Sequence, residues 1–311
     1  MKICVVGAGA LGSLVAGFIK ARTREDVALL VRSPEDSKKI KADGLKIEMM
    51  NGSVVRAAVK AASAAKDMGP RDLVIICVKS YSTEDACKDI KDMVGAETRV
   101  LTLQNGIGNV QILNDHFGPE KVIAGITNHG ATLVGPGHVR HAGKGDTIIG
   151  KSDGKLSGAL KQVSAILGRA GFETKISKDM DGVIWSKLVI NVGINALTAV
   201  TRLKNGKLLE YDHAHELLKD AVQEAVRVVK RKRVKLAYDD PIQKVESVCK
   251  ATAQNVSSML QDVLNGKKTE IDFINGAIVR QAKALGMPAP VNEVLTGLVK
   301  TIESSYDKIV K

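Results

Sequence analysis

The chain has 311 residues, 44% of them apolar, which excludes a disordered or fibrous protein and favours two domains over a single core. Aromatic residues supply only 3%, so the core must be aliphatic, and a single-strand nucleic-acid surface built on base stacking is disfavoured. The formal net charge of +12 suits an anionic partner without choosing among phosphates, carboxylates, nucleic acid and a membrane surface.

The first predicted element is a buried strand over residues 2–6, followed by a helix over 11–21, with Gly7-Ala8-Gly9-Ala10-Leu11-Gly12 between them. The apolar run from Lys2 to Ile19 resembles a signal or membrane segment, but its four glycines and their spacing argue for a different use. A G-x-G-x-x-G motif between a strand and a helix is the setting for dinucleotide binding. Gly7 makes the turn, Gly9 lets the backbone approach a pyrophosphate, and Gly12 allows close helix packing. The free N–H groups and positive end of the helix then face the anion.

Further strand patterns at 27–31, 73–78, 100–103 and 122–126 alternate with helix-like stretches, which indicates βαβ units and a parallel sheet. The second pattern ends at Arg32, about 20 residues beyond the glycines, where NAD-binding folds place an acidic residue against the ribose hydroxyls. A guanidinium there can pair with a 2′-phosphate, so NADP(H) is the expected cofactor. Lys38 and Lys39 add positive potential nearby. Lys79, after the 73–78 pattern, and Asn105-Gly106, after 100–103, fall at carboxyl ends of strands, the ligand-binding edge of such sheets. Taken alone, the first is a solvated loop lysine and the second a turn.

After Gly150 the pattern becomes helical: 156–167, a short strand at 173–176, then helices over 181–199, 214–231, 242–264 and 269–285, with a last helix beyond Pro288 and Pro290. The expected fold is α/β, an N-terminal Rossmann-type doubly wound parallel sheet (1–178) with a C-terminal all-helical domain (179–311). The basic run Lys230-Arg231-Lys232-Arg233 reads as the solvated end of a helix rather than a nucleic-acid patch. The widely spaced Cys4, Cys77, Cys87 and Cys249 form no C-x-x-C pair or metal cluster, which fits a reducing, cytoplasmic compartment and no metal site.

Within 185–195, Lys187, Asn191 and Asn195 recur every fourth residue in an apolar segment, a helical stripe drifting by about 40° per step. Polar groups on a buried helix need partners, either a ligand or an interhelix hydrogen-bond network. From Gly7-Ala-Gly-Ala-Leu-Gly12 through Val78-Lys79, Leu103-Gln-Asn-Gly106, Lys187-x-x-x-Asn191-x-x-x-Asn195, Asn255-Val-Ser-Ser258-Met-Leu-Gln-Asp262 and Thr269-Glu270-Ile-Asp-Phe-Ile-Asn-Gly276, the chain resembles the ketopantoate reductase (2-dehydropantoate 2-reductase) family. The glycine motif and Lys-x-x-x-Asn are shared with other dehydrogenases; the Ser-Ser-Met-Leu-Gln-Asp and Thr-Glu-Ile-Asp blocks are the specific ones.

The resemblance implies NADPH-dependent reduction of ketopantoate, a step of pantothenate and coenzyme A biosynthesis, with Lys187 as the general acid. Glu270 would hold a substrate hydroxyl, Ser258 the carboxylate, and Asn105, Asn191, Asn195 and Asn255 would complete the polar pocket. The glycine motif from Gly7 through Ala8, Gly9, Ala10 and Leu11 to Gly12, with Arg32, Lys79, Asn105 and Glu270, would contact the cofactor. The expected partner is a small keto acid, with no nucleic acid or membrane, and a homodimer is left open. A hydroxyacid or glycerol-phosphate-type dehydrogenase, another 2-keto acid, and a non-catalytic NADP(H) sensor remain the alternatives.

Overall fold

Side chains of the first strand, β1 (Lys2–Val6), alternate between two apolar layers: Ile3 and Val5 enter one cluster, Cys4 and Val6 the other. That period of two, with both faces buried, calls for cover on each side of the sheet. The computed structural model, which describes residues 1–308, shows how the cover is supplied. The chain divides into one unit made of Met1–Gln104 and Gly108–Met180, and another made of Asn105–Ile107 and the chain from Asp181 onward.

In chain order the first unit contains β1, α1 (Ala10–Arg22), β2 (Asp26–Leu30), α2 (Pro34–Asp43), β3 (Leu45–Glu48), β4 (Val54–Ala57), β5 (Lys60–Ala62), β6 (Leu73–Ile76), α3 (Thr83–Asp89) and β7 (Arg99–Thr102). It continues with α4 (Asn109–Phe117), β8 (Val122–Thr127), β9 (Gly130–Gly135), β10 (His138–Gly143), β11 (Thr147–Gly150), α5 (Gly158–Ala170) and β12 (Thr174–Ile176). Eight strands form the main sheet in the order β12-β11-β8-β7-β6-β1-β2-β5, parallel except where β11 meets β8. The chain runs outward from β1 through β2 to β5, then returns to β6 on the other side of β1. This reversal is the switch point beside which open α/β sheets bind their ligands.

Leu14 and Phe18 of α1 and Val163 and Ile166 of α5 cover one face, while Cys87 of α3 and Leu113 of α4 cover the other. A second sheet, β4-β3-β10-β9, packs Leu45, Ile47, Ala57 and Val139 into the α1 side of the core. Leu45, Ile47 and Val139 each contribute roughly 1.5–3 kcal/mol on burial. The sequence reading did not anticipate this sheet. Its central pair aligns Ile47 with Val139, and such distant pairing leaves no local signature.

From α6 onward the described residues are helical apart from their turns: α6 (Met180–Thr201), α7 (Asp212–Arg231), α8 (Pro241–Ala251), α9 (Ser258–Leu264), α10 (Asn275–Ala284) and α11 (Pro290–Ser304). Among the described residues α6 alone is long and apolar enough to cross a membrane, and 67% of its most apolar window is buried, as befits a core helix. The basic run closes α7, with Lys230 and Arg231 in its last turn and the Lys232 ammonium 5.9 Å from the Trp185 ring centroid.

Two expected helices are corrected. The 242–264 stretch breaks at 252–257, because the Ser257 hydroxyl accepts from Leu260 N and starts a new helix. The 269–285 stretch becomes helical only at Asn275, after a short 3-10 turn at Ile271–Phe273. Glu270 therefore precedes the helix instead of occupying its first turn.

Candidate active site

At the end of β1 the chain turns at Gly7, whose φ of 103° suits glycine, and Gly7 N donates to Leu30 O of β2. A Cβ on Gly12 would stand 1.9 Å from Gly7 O, so only glycine lets α1 start this close to the strand. A Cβ on Gly9 would meet nothing within 4 Å, which leaves its backbone open to a ligand. Gly9 caps α1 without a side-chain hydrogen bond and the first turn carries no acid, so the helix N–H groups suit an anion. Ala8, Ala10 and Leu11 are half-buried against the core and hold the turn in place. The donor set fits the pyrophosphate of a dinucleotide.

Beside this turn lies a cavity of about 500 Å³ whose walls include Gly7, Val31, Arg32, Lys66 and Asp85. Arg32 is exposed, while the adjoining Ser33 hydroxyl is committed to capping α2 through Asp36 N. Lys38 and Lys39 are exposed on α2. Lys66 escaped the sequence reading because β5, the strand that brings the chain back to this edge, carries only Lys-Ala-Ala and no strand pattern.

Lys79 is half-buried in the loop after β6, and a buried network fixes that loop. Gln104 Nε2 donates to Val78 O at 2.9 Å and to Thr83 Oγ1 at 2.8 Å. Thr83 Oγ1 donates to Asn109 Oδ1 at 2.8 Å, and Asn109 Nδ2 donates to Ser80 Oγ at 3.1 Å. Thr83 and Asn109 were missed by sequence reasoning, since neither belongs to a local motif.

A second cluster forms within the helical unit. Asn105, half-buried, donates from Nδ2 to Glu270 Oε2 across a long 3.4 Å contact. The approach depends on Gly106: its φ is 80°, and a Cβ there would stand 2.4 Å from Phe273 O. Ile107 N donates to that same carbonyl, and Phe273 N to Glu270 O, so backbone bonds lock the two segments together. Glu270 is 5% exposed, held on a turn where Thr269 Oγ1 accepts from Ile271 N and Thr269 N donates to Glu303 Oε1.

Lys187, Asn191 and Asn195 share one side of α6, from half-buried at Lys187 and Asn191 to buried at Asn195. Burial lowers the pKa of Lys187 from 10.5 to about 8, and the charge of Glu270 works in the opposite direction. This is a proton donor near its titration point beside a carboxylate that keeps it charged. One turn beyond Asn195, Thr198 Oγ1 lies 2.6 Å from Ser257 Oγ, tying α6 to the start of α9. Asn255 and Ser258 flank that contact and are exposed; Asn255 O accepts from Asn205 N.

A doubly wound sheet with a glycine turn at its switch point places the chain in the Rossmann class, and the lysine–carboxylate cluster suits an oxidoreductase that protonates a carbonyl oxygen. The family model described as ketopantoate reductase PanE/ApbA matches residues 3–154, and that for the PanE/ApbA C terminal matches 179–303. The chain belongs to the ketopantoate reductase family. A 2-dehydropantoate 2-reductase of Pyrococcus horikoshii is 38% identical, with 98% of each chain covered. The crystal structure of a PanE/ApbA family ketopantoate reductase from Ralstonia eutropha JMP134 superposes with a TM-score of 0.90 at 34% identity, covering 99% of this chain and 100% of that one. A D-mandelate dehydrogenase in a ternary structure with NADH and anilino(oxo)acetate gives 0.91 at 29% identity, with 99% and 100% covered.

Proposed function

We propose that the chain catalyses the NADPH-dependent reduction of 2-dehydropantoate (ketopantoate) to pantoate, a step toward pantothenate and coenzyme A. The observation that carries this reading is Lys187, an ammonium brought to a pKa of about 8 by burial and kept charged by Glu270, in a chain of this family. NADPH, when bound, supplies hydride to the carbonyl carbon of the keto acid. Lys187 Nζ donates a hydrogen bond to the ketone oxygen, stabilises the charge that develops there and passes it a proton. Glu270 accepts from the substrate hydroxyl, an acceptor matched to a donor that simpler keto acids lack.

Ser258 donates to the substrate carboxylate, and Asn105, Asn191, Asn195 and Asn255 complete the polar pocket. Backbone N–H groups from Gly7 through Ala8, Gly9, Ala10 and Leu11 to Gly12 bind the pyrophosphate. Arg32 pairs with the 2′-phosphate; Lys79, Asn105 and Glu270 are the remaining cofactor contacts. The setting is a reducing, cytoplasmic compartment, which suits four free cysteines, three of them buried.

The likeness to D-mandelate dehydrogenase favours a second reading, in which another 2-keto acid is reduced with NADH. Oxidation of NADPH and NADH followed with ketopantoate, pyruvate and phenylglyoxylate separates the two. The expected result is the highest kcat/KM for ketopantoate with NADPH. A higher value for another keto acid replaces the substrate, and no turnover with any of them removes the enzymatic reading.

A further inference from the structure

We propose that Lys66 is a second anchor for the 2′-phosphate of the dinucleotide, acting with Arg32, and that carboxylates across the cavity orient the nucleotide between them. This rests on the dinucleotide reading above. Among the described residues lining the cavity beside the glycine turn, the charged ones are Arg32, Lys66, Asp85, Asp89 and Asp92. The signs are segregated by the topology. Arg32 follows β2 and Lys66 follows β5, both outward from β1 on one side, whereas Asp85 and Asp89 lie on α3, which follows β6 on the other.

The two cations are available. Lys60, close by on β5, is committed to Asp26 at 3.3 Å, but among the described residues no ion pair engages Arg32 or Lys66. Lys66 sits on a 3-10 turn, Ala65–Asp67, whose Ala65 is 8% exposed and anchored in the core, so the turn is fixed while the lysine is exposed. Asp85 and Asp89 are one helical turn apart and present carboxylates on one side of α3. A phosphate dianion is repelled from that wall and drawn to the Arg32–Lys66 wall. The acidic wall is left to the donor groups of the base. Two cations on one wall of the cavity also suit a dianion better than Arg32 by itself.

Calorimetric titration of the whole chain with 2′,5′-ADP and with 5′-AMP tests the assignment without turnover. The parent is expected to bind 2′,5′-ADP more tightly. Lys66→Ala should weaken 2′,5′-ADP by about tenfold while leaving 5′-AMP within twofold, and Lys66→Arg should keep most of the preference. Equal loss for both ligands, or an unchanged ratio in Lys66→Ala, overturns the role of Lys66 and leaves the dinucleotide reading standing. A parent that binds both ligands alike overturns the 2′-phosphate anchor in the same way. A parent that binds neither overturns the dinucleotide reading, and the anchor falls with it.

Discussion

The candidate dinucleotide turn is contiguous: Gly7 to Gly12 carry the backbone donors, and the shape needed to present them is written in three glycines. The lysine cluster is built otherwise, from a loop at Asn105, a helix at Lys187 and a turn at Glu270, with 165 positions between the asparagine and the glutamate that it contacts. The first region uses backbone groups, whose direction follows from φ, ψ and the helix axis. The second uses side chains whose chemistry depends on burial. Lysine has an ordinary pKa of 10.5, and at Lys187 it is the removal of water by the fold that brings it toward neutrality, so the second region is far more sensitive to its surroundings.

The largest effect is expected at Lys187. Lys187→Ala should lower kcat by roughly 10²–10⁴-fold, the contribution of a positioned general acid, with NADPH affinity within a few-fold of the parent. Lys187→Met keeps the aliphatic length and should fall equally far; turnover near the parent's in either folded variant removes Lys187 as the acid.

Next is the frame around that helix. Glu224 of α7 is 4% exposed, and its carboxylate accepts from Val291 N, Asn292 N and Asn292 Nδ2 at 2.7–2.9 Å, capping α11 from a distant part of the chain. Asn275 Nδ2 continues the network to Asn292 Oδ1 and to Val192 O on α6. Glu224→Ala strands these buried donors and should cost about 3–5 kcal/mol, read as a lower urea midpoint. A change below about 1 kcal/mol would show the network to be dispensable.

On the dinucleotide side, Arg32→Asp should weaken NADPH by roughly 10–100-fold and NADH by no more than a few-fold. Parallel fluorescence titrations check this, and equal losses would dismiss Arg32 as a 2′-phosphate partner.

The smallest effect sharpens the contrast most. On the proposed mechanism the ammonium form of Lys187 is the active one, so kcat/KM should fall by up to tenfold per pH unit as the pH rises through about 8. Because the charge of Glu270 raises that pKa, Glu270→Gln should move the inflection to lower pH as well as reducing turnover. An inflection that stays in place or moves upward would mean that the two charges are not coupled.

The glycine turn, the buried parallel strands, Arg32 at the edge of the sheet and the polar stripe on α6 were legible in the sequence, because each is a local pattern with a period or a fixed spacing. Thr83, Asn109, Thr198 and Lys66 were not. The first three are placed by hydrogen bonds to other segments, which leave no periodicity behind, and Lys66 by β5, a strand that carries no strand pattern. The same holds for the second sheet and for the break at Ser257, where one hydroxyl captured Leu260 N and overrode a continuous helical pattern. By itself the sequence determined which residues carry donors, charge and backbone freedom. Only the tertiary structure decided which of them are dry and adjacent, because desolvation and Coulomb coupling act through space and set the pKa of Lys187 from residues that the chain order keeps far away.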